Sequence, residues 1–360
     1  MSTIDELRQS LGASDTEEST DWSALVAGGI GLVCLLGAFG SFLLNTGLTA
    51  VFLLGLVLVV AYGWYAHQAE TAKSLTFVAT ASTIVTMGLI VVFIFREALP
   101  MIQQEGLSLV IDTSPPLWDT SDAVYSLTPL MWGTFVTTVI AMAIAGPLGV
   151  AGALFISEIA PGWLREVVKP GIEILAGIPS IVYGFLGLTV INTYFADSDI
   201  LGLAGLGSLF AVGLMIGLMA LPTVVSVAED ALASVPESMK SGSLALGSTD
   251  WQTMTDITIP AAFSGVSAAV LLGVGRAIGE TMAATVMLGN IVEFPDPIYD
   301  VFGNSITLTS AIASQYGDAG EVQLTALFAA GVVLFVTVLA ISVGSQVIEA
   351  RMEHKLGGQQ

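Results

Sequence analysis

Long apolar runs separated by short polar breaks dominate this chain. Eight runs reach or approach the ~20 residues that let a helix cross a bilayer: roughly 23–44, 49–66, 75–95, 127–156, 171–195, 203–225, 263–288 and 324–347. None alternates apolar and polar residues as a membrane-barrel strand would, so helices are predicted throughout. The fold class is therefore an all-α polytopic membrane protein with eight transmembrane helices. The bulk composition agrees: 54% of residues are hydrophobic, 11% are charged, and the mean hydropathy is +0.85.

The few basic residues orient the spans. With the N-terminus inside, Arg8, Lys73, Arg165, Lys169, Lys240, Arg351 and Lys355 all fall on the cytoplasmic side, and only Arg96 lies outside. That distribution obeys the positive-inside rule, so a multi-pass cell-membrane protein with both termini cytoplasmic is expected. Residues 1–22 carry six acids and one Arg. A secretory signal needs a basic start, so this segment reads as an acidic cytoplasmic tail and the first span as an uncleaved anchor. The single Cys34 and the separated His67 and His354 offer no disulfide framework and no metal set, and no cofactor is implied. The net charge of −21 is spread over both aqueous faces. Such a coat with few lysines suits very high salt, where the Debye length is only ~3 Å at 1 M.

Two charges interrupt the apolar pattern. Arg276 and Glu280 lie inside the run 263–288, between Gly275 and Thr281. A charge at the bilayer centre costs at least ~2.5–3.5 kcal/mol on insertion scales, so it faces protein or a polar path. A spacing of four sets both on one helix face, as a structural ion pair or as part of a transport path. Gly275 and Gly279 form a small-residue pair that lets a neighbour come close.

The inner segment 227–262 is the most patterned loop. Pro236 is placed to start a helix and Gly247 to end one. Thr249 or Asp250 can cap a second helix beginning near Trp251. The prediction is helix, glycine turn, helix, with an apolar knob Leu244-Ala245-Leu246 at the turn.

This loop resembles the coupling loop of ABC-transporter permeases, whose short helix docks on a cytoplasmic ATPase. Other stretches resemble the phosphate-uptake branch, the C-type subunit of the Pst system, as found in a halophilic archaeon: Pro147-Leu148-Gly149-Val150, Ser157-Glu158-Ile159-Ala160-Pro161, the run from Leu175 through Pro179-Ser180 to Gly184, Ala228-Glu229-Asp230-Ala231-Leu232, Ser243-Leu244-Ala245-Leu246-Gly247, and Gly275-Arg276-Ala277-Ile278-Gly279-Glu280-Thr281. The outer stretch Pro116-Leu117-Trp118-Asp119, and Gly289-Asn290 followed by Leu308–Ala313, resemble the C subunit. The last six spans match this permease core. The expected organisation is an acidic tail 1–22, an accessory hairpin 23–72, a transmembrane domain 73–350 with outer loop 97–125 and coupling loop 227–262, and a tail 351–360. An acidic outer loop is expected over 289–321.

The resemblance implies a membrane permease subunit of an ATP-driven phosphate importer that works by alternating access. Its substrate pathway would include Arg276, Glu280, Thr281 and Ser180. ATPase coupling would fall to Ser241, Gly242, Leu244, Ala245, Leu246, Gly247, Asp250 and Trp251. Ser241-Gly242 departs from the usual Glu-Ala of that loop, and Asp250 from a basic residue often found before the Trp. Implied partners are a related A-type permease, a cytoplasmic ATPase dimer and an extracytoplasmic phosphate-binding protein. The chain itself carries no Gly-x-x-x-x-Gly-Lys-Ser/Thr loop and is expected to be no enzyme. A permanently charged Arg fork suits an oxyanion. Sulfate, molybdate or tungstate permeases share the coupling loop, and a self-contained secondary transporter would need inverted repeats that the chain does not show.

Overall fold

The apolar runs fold as helices, and the places where they stop being straight define the interior. The computed structural model describes residues 22–196 and 207–357. It divides into two compact units, residues 1–91 and 92–360.

In the first unit, helices α1 (Trp22–Leu43) and α2 (Thr49–Ala66) form a hairpin. The connecting turn places Asn45 at φ 50°, a conformation that Asn tolerates better than most side chains. Small residues set the close approach: the Phe52 ring lies against Gly37, and Cys34 Sγ against Gly55. Most other large side chains of the pair are exposed and apolar, as a lipid-facing hairpin requires. Helix α3 (Gln68–Glu105) runs through the boundary between the units. It extends well past the expected end at residue 95 and through Pro100. A proline removes one intrahelical bond, and here the last turns are held by burial of Ala98 and Met101. The segment 97–125, expected as an outer loop, is thus helical as far as Glu105. It then forms the short helix α4 (Ser108–Ile111) and a two-stranded hairpin, β1 (Trp118–Asp119) and β2 (Val124–Tyr125), closed by an edge-to-face Trp118–Tyr125 contact at 4.9 Å.

The second unit is built around α8 (Leu209–Ala233). It packs on α5 (Thr128–Leu154), which ends in a π turn over Phe155–Ile159, and on α11 (Phe263–Gly279). Ser208 caps α8 by accepting from the Ala211 N–H. The three helices meet at Val224. A Cβ placed on Gly149 of α5 or Gly273 of α11 would come within 2.6 Å of a Val224 methyl from either side. Such glycines let backbones approach where no hydrophobic difference between lipid and protein drives association.

Two of the expected spans are not continuous. The run 171–195 is split into α6 (Gly162–Gly177) and α7 (Ser180–Leu186, continued by a π stretch Gly187–Asn192 and the turn Thr193–Ala196), with an 87° bend at Ile178-Pro179. Pro179 forces Ile178 into extended backbone, which ends the helix before it. The run 263–288 is split into α11 and α12 (Met282–Leu288). The run 203–225 lies over Leu209–Ala233, with 203–206 outside the described residues. The segment 227–262 carries α9 (Glu237–Ala245) and α10 (Asp250–Thr253, continued by a π turn Met254–Thr258 and Ile259–Ala261), and α10 meets α11 at 71°. Helix α13 (Leu308–Gln315) precedes the last span, α14 (Glu321–Gly357).

The segment 289–321, expected as an acidic outer loop, reaches inward over part of its length: Ser305 to Ala311 are buried. The Thr134 hydroxyl accepts from the Leu308 N–H at 2.9 Å, and Ser305 donates to the Pro129 carbonyl. The segment folds into the interior because its polar backbone finds partners on α5.

The Val224 junction gives a direct stability test. Gly149→Leu should overpack it by about 1–3 kcal/mol. A lower melting temperature in detergent is expected, with partial recovery on adding Val224→Ala; an unchanged melting temperature would contradict the packing.

Candidate functional site

Arg276 stands in the last turn of α11, and there the helix stops. Glu280 is already in extended backbone (ψ 123°), and Thr281 begins the turn into α12. The expected arrangement, Arg276 and Glu280 stacked on one continuous face, is therefore corrected. The Glu280 carboxylate turns toward the next helix, where Oε1 accepts from the Ala283 N–H at 3.1 Å. This is the side-chain satisfaction that an exposed helix start requires. The Glu280 carbonyl accepts from the Thr309 hydroxyl at 2.7 Å. Thr281 donates to the Gly279 carbonyl at 3.1 Å, and Thr285 donates to that of Thr281 at 2.8 Å. The groups freed by the break are thus met from within the protein, as an apolar setting demands.

Arg276 is left without a carboxylate. No Asp or Glu among the described residues lies within ion-pair distance of it. Its Nε is buried and has no hydrogen-bond partner. The side chain is half-buried, and Ala277 and Ile278 beside it are buried.

The other broken helix comes to the same place. Ser180 opens α7, half-buried. Tyr183 donates to the Leu175 carbonyl across the bend at 3.0 Å. Helix α7 crosses α12 at Gly184, where an added Cβ would sit 2.8 Å from the Ala283 Cα. Arg276, Glu280 and Thr281 are therefore gathered at one break, and the bend that begins α7 at Ser180 adjoins it through the crossing of α7 on α12. What these groups offer is a half-buried cation at the end of α11, with Ala277 and Ile278 buried beside it.

The residues expected to couple to an ATPase lie in a different setting. Helix α9 carries Ser241 and Gly242 on exposed positions and ends at Ala245. Leu244 and Leu246 are exposed, Leu246 at 90%. Gly247 adopts φ +96°, the left-handed turn that a side chain resists. Thr249 caps α10 in a reciprocal box with Gln252. Asp250 opens that helix, and Trp251 follows it at 67% exposure. An apolar knob and an indole thus project from a rigid turn into open space.

The family model for the binding-protein-dependent transport system inner membrane component matches residues 145–354. The chain belongs to that family. This permease is 43% identical over 218 residues to a probable ABC transporter permease protein, YqgH, of Bacillus subtilis, covering 60% of this chain and 69% of the relative. It is 34% identical to the phosphate transport system permease protein PstC of Haemophilus influenzae, over 71% and 85% of the two chains. A probable PstC of Methanocaldococcus jannaschii is 31% identical over 77% and 92%. The fold is shared with the methionine transporter MetNI in inward-facing form (TM-score 0.50, 21% identity, 63% of this chain and 95% of that one). It is shared as well with a bacterial alginate ABC transporter (TM-score 0.50, 16% identity, 78% and 97%). The protein is a multi-pass membrane transport permease.

Sequence reasoning missed Thr309 and Ser310 as parts of the permease's interior. Thr309 holds the break at Glu280, and the buried Ser310 hydroxyl has no partner. The available signal was Thr307 three residues before Ser310, an N-cap spacing that marks an ordered helix start within a supposed loop.

The Thr309 contact makes a prediction. Thr309→Val should leave the Glu280 carbonyl unmet and cost about 1–3 kcal/mol, while Thr309→Ser should cost far less. Thermal unfolding of the purified permease would show the difference; equal melting temperatures would mean that the hydroxyl does not hold the break.

Proposed function

We propose that this permease moves inorganic phosphate inward by alternating access, with Arg276 meeting the anion along its path. The observation that carries the reading is the buried Nε of Arg276 with no carboxylate beside it. A buried guanidinium N–H without a partner is costly, and a phosphate oxygen offers it a charge-assisted hydrogen bond. The phosphate transport names of the Haemophilus and Methanocaldococcus relatives support the same anion. Glu280, Thr281 and Ser180 line the two breaks around this point. Glu280 acts first through its cap on α12, and its charge keeps the site from holding the anion too firmly to release it.

The reading includes partners. A separate ATPase dimer hydrolyses ATP and grips the knob Leu244-Ala245-Leu246 and Trp251. A related A-type permease completes the membrane pore, and an extracytoplasmic binding protein delivers phosphate. Both termini and the 227–262 loop are then cytoplasmic, and residues 23–72 serve as an accessory hairpin. No bond to phosphorus changes in this chain.

Uptake of labelled phosphate by cells carrying the whole importer tests the reading. Arg276→Gln should reduce uptake by about ten-fold or more, the worth of a charged hydrogen bond, with complex assembly unchanged. Arg276→Lys should fall between, since it keeps charge and loses the planar fork. Near-normal uptake by Arg276→Gln would remove it from the path.

Gly247 tests the docking side. Gly247→Val should strain the turn by about 1–2 kcal/mol. ATPase co-purification is expected to weaken while the permease still folds; full ATPase retention and normal uptake would contradict the docking assignment.

A further inference from the structure

The permease has half-buried ion pairs clustered where the coupling helix meets the spans. Lys240 of α9 reaches the Glu158 carboxylate at 2.8 Å, with only 13% and 15% of the two side chains exposed. Glu158 belongs to the π turn that ends α5, and the Ser157 hydroxyl bonds the same Oε1 at 2.9 Å. Arg165 of α6 locks that turn by donating from Nε to the Ile156 carbonyl (2.9 Å) and from Nη2 to that of Ser157 (2.6 Å). Lys169, one turn further along α6, pairs with Glu229 of α8 at 2.5 Å, and that carboxylate side chain is 4% exposed. Three basic residues thus bind α5, α6, α8 and α9 to one another. The Thr253 hydroxyl adds a bond to Ser243 at 3.0 Å, joining the two helices of the coupling loop.

From this cluster a packed route leads inward. Helix α5 meets α8 and α11 at Val224, between Gly149 and Gly273, and Gly273 is one turn before Arg276. Every link is a close contact between helices rather than a flexible loop. Discrete, tightly packed elements of this kind transmit displacement instead of absorbing it.

We propose that Lys240–Glu158 is the transmission contact of the permease: it makes the coupling helix and α5 move as one body, so that ATPase motion reaches Arg276. Both are positioning residues, and neither touches the substrate. The inference rests on the coupling role given to α9 above. It needs no particular anion.

The test uses the assembled importer in proteoliposomes, with labelled phosphate and ATP on the ATPase side, and reads phosphate imported per ATP hydrolysed. Lys240→Met and Glu158→Gln should each lower that ratio on the order of ten-fold, the scale of a typical coupling between sites. The exchange Lys240→Glu with Glu158→Lys should recover most of it, which a solvent-exposed or merely space-filling pair would not do. An unchanged ratio in the single variants overturns the proposal. So does a loss that the exchange fails to repair. Loss of ATPase attachment in the single variants, restored by the exchange, overturns it too, because the pair would then be a docking scaffold. If wild-type complex moves another oxyanion and not phosphate, the substrate reading fails, and the same ratio measured with that anion still decides the role of the pair.

Discussion

Backbone polar groups in an apolar interior must find partners, and this constraint governs the centre of the permease. A helix broken at Gly279–Met282 exposes carbonyls and N–H groups that lipid cannot satisfy. The Glu280 carboxylate answers the start of α12, and Thr309 answers the Glu280 carbonyl. Once Glu280 is committed to its cap, Arg276 has no counter-charge among the described residues. The break, the cap and the unpaired guanidinium are one arrangement. Remove the cap and the two half-helices lose their angle; pair the arginine and an anion gains nothing by approaching.

The same logic explains why the second broken helix lies alongside. Pro179 ends α6, the Tyr183 hydroxyl collects the Leu175 carbonyl, and Gly184 lets α7 press onto Ala283. Two interrupted helices crossing at small residues make an irregular, polar interior without exposing backbone to lipid. The paired lysines and the packed α5–α8–α11 junction link these spans to the helix that carries the exposed apolar knob.

Much of the fold was legible because hydropathy is a local property. The helix over Thr49–Ala66 coincides with its apolar run, and the Gly247 turn with its capped successor follows from residue types alone. The break at Ile178 was readable in principle from Pro179. The break at Glu280 was not, since Gly-Glu-Thr carries no helix stop as strong as proline, and a spacing of four suggested a pair. What decides it is Thr309, 29 residues away in sequence. The Lys240–Glu158 link spans 82 residues. Contacts of that kind depend on how helices pack, which periodicity within one helix does not encode. The buried stretch Ser305–Ala311 was hidden for the same reason: its hydroxyl-rich composition matches a solvated loop until α5 supplies its partners.

The central claim is that the Arg276 guanidinium, and not an internal carboxylate, meets the transported anion. Solid-state NMR on the reconstituted importer tests it, with 15N-arginine in this chain and phosphate as the 31P probe. The chain holds five arginines, and Arg276→Lys identifies the one that matters. The account predicts 31P–15N dipolar coupling at about 4 Å, as hydrogen bonds of ~2.8 Å to phosphate oxygens require, and its disappearance in Arg276→Lys. Coupling that persists in that variant, or none in the wild-type complex under turnover, would contradict it.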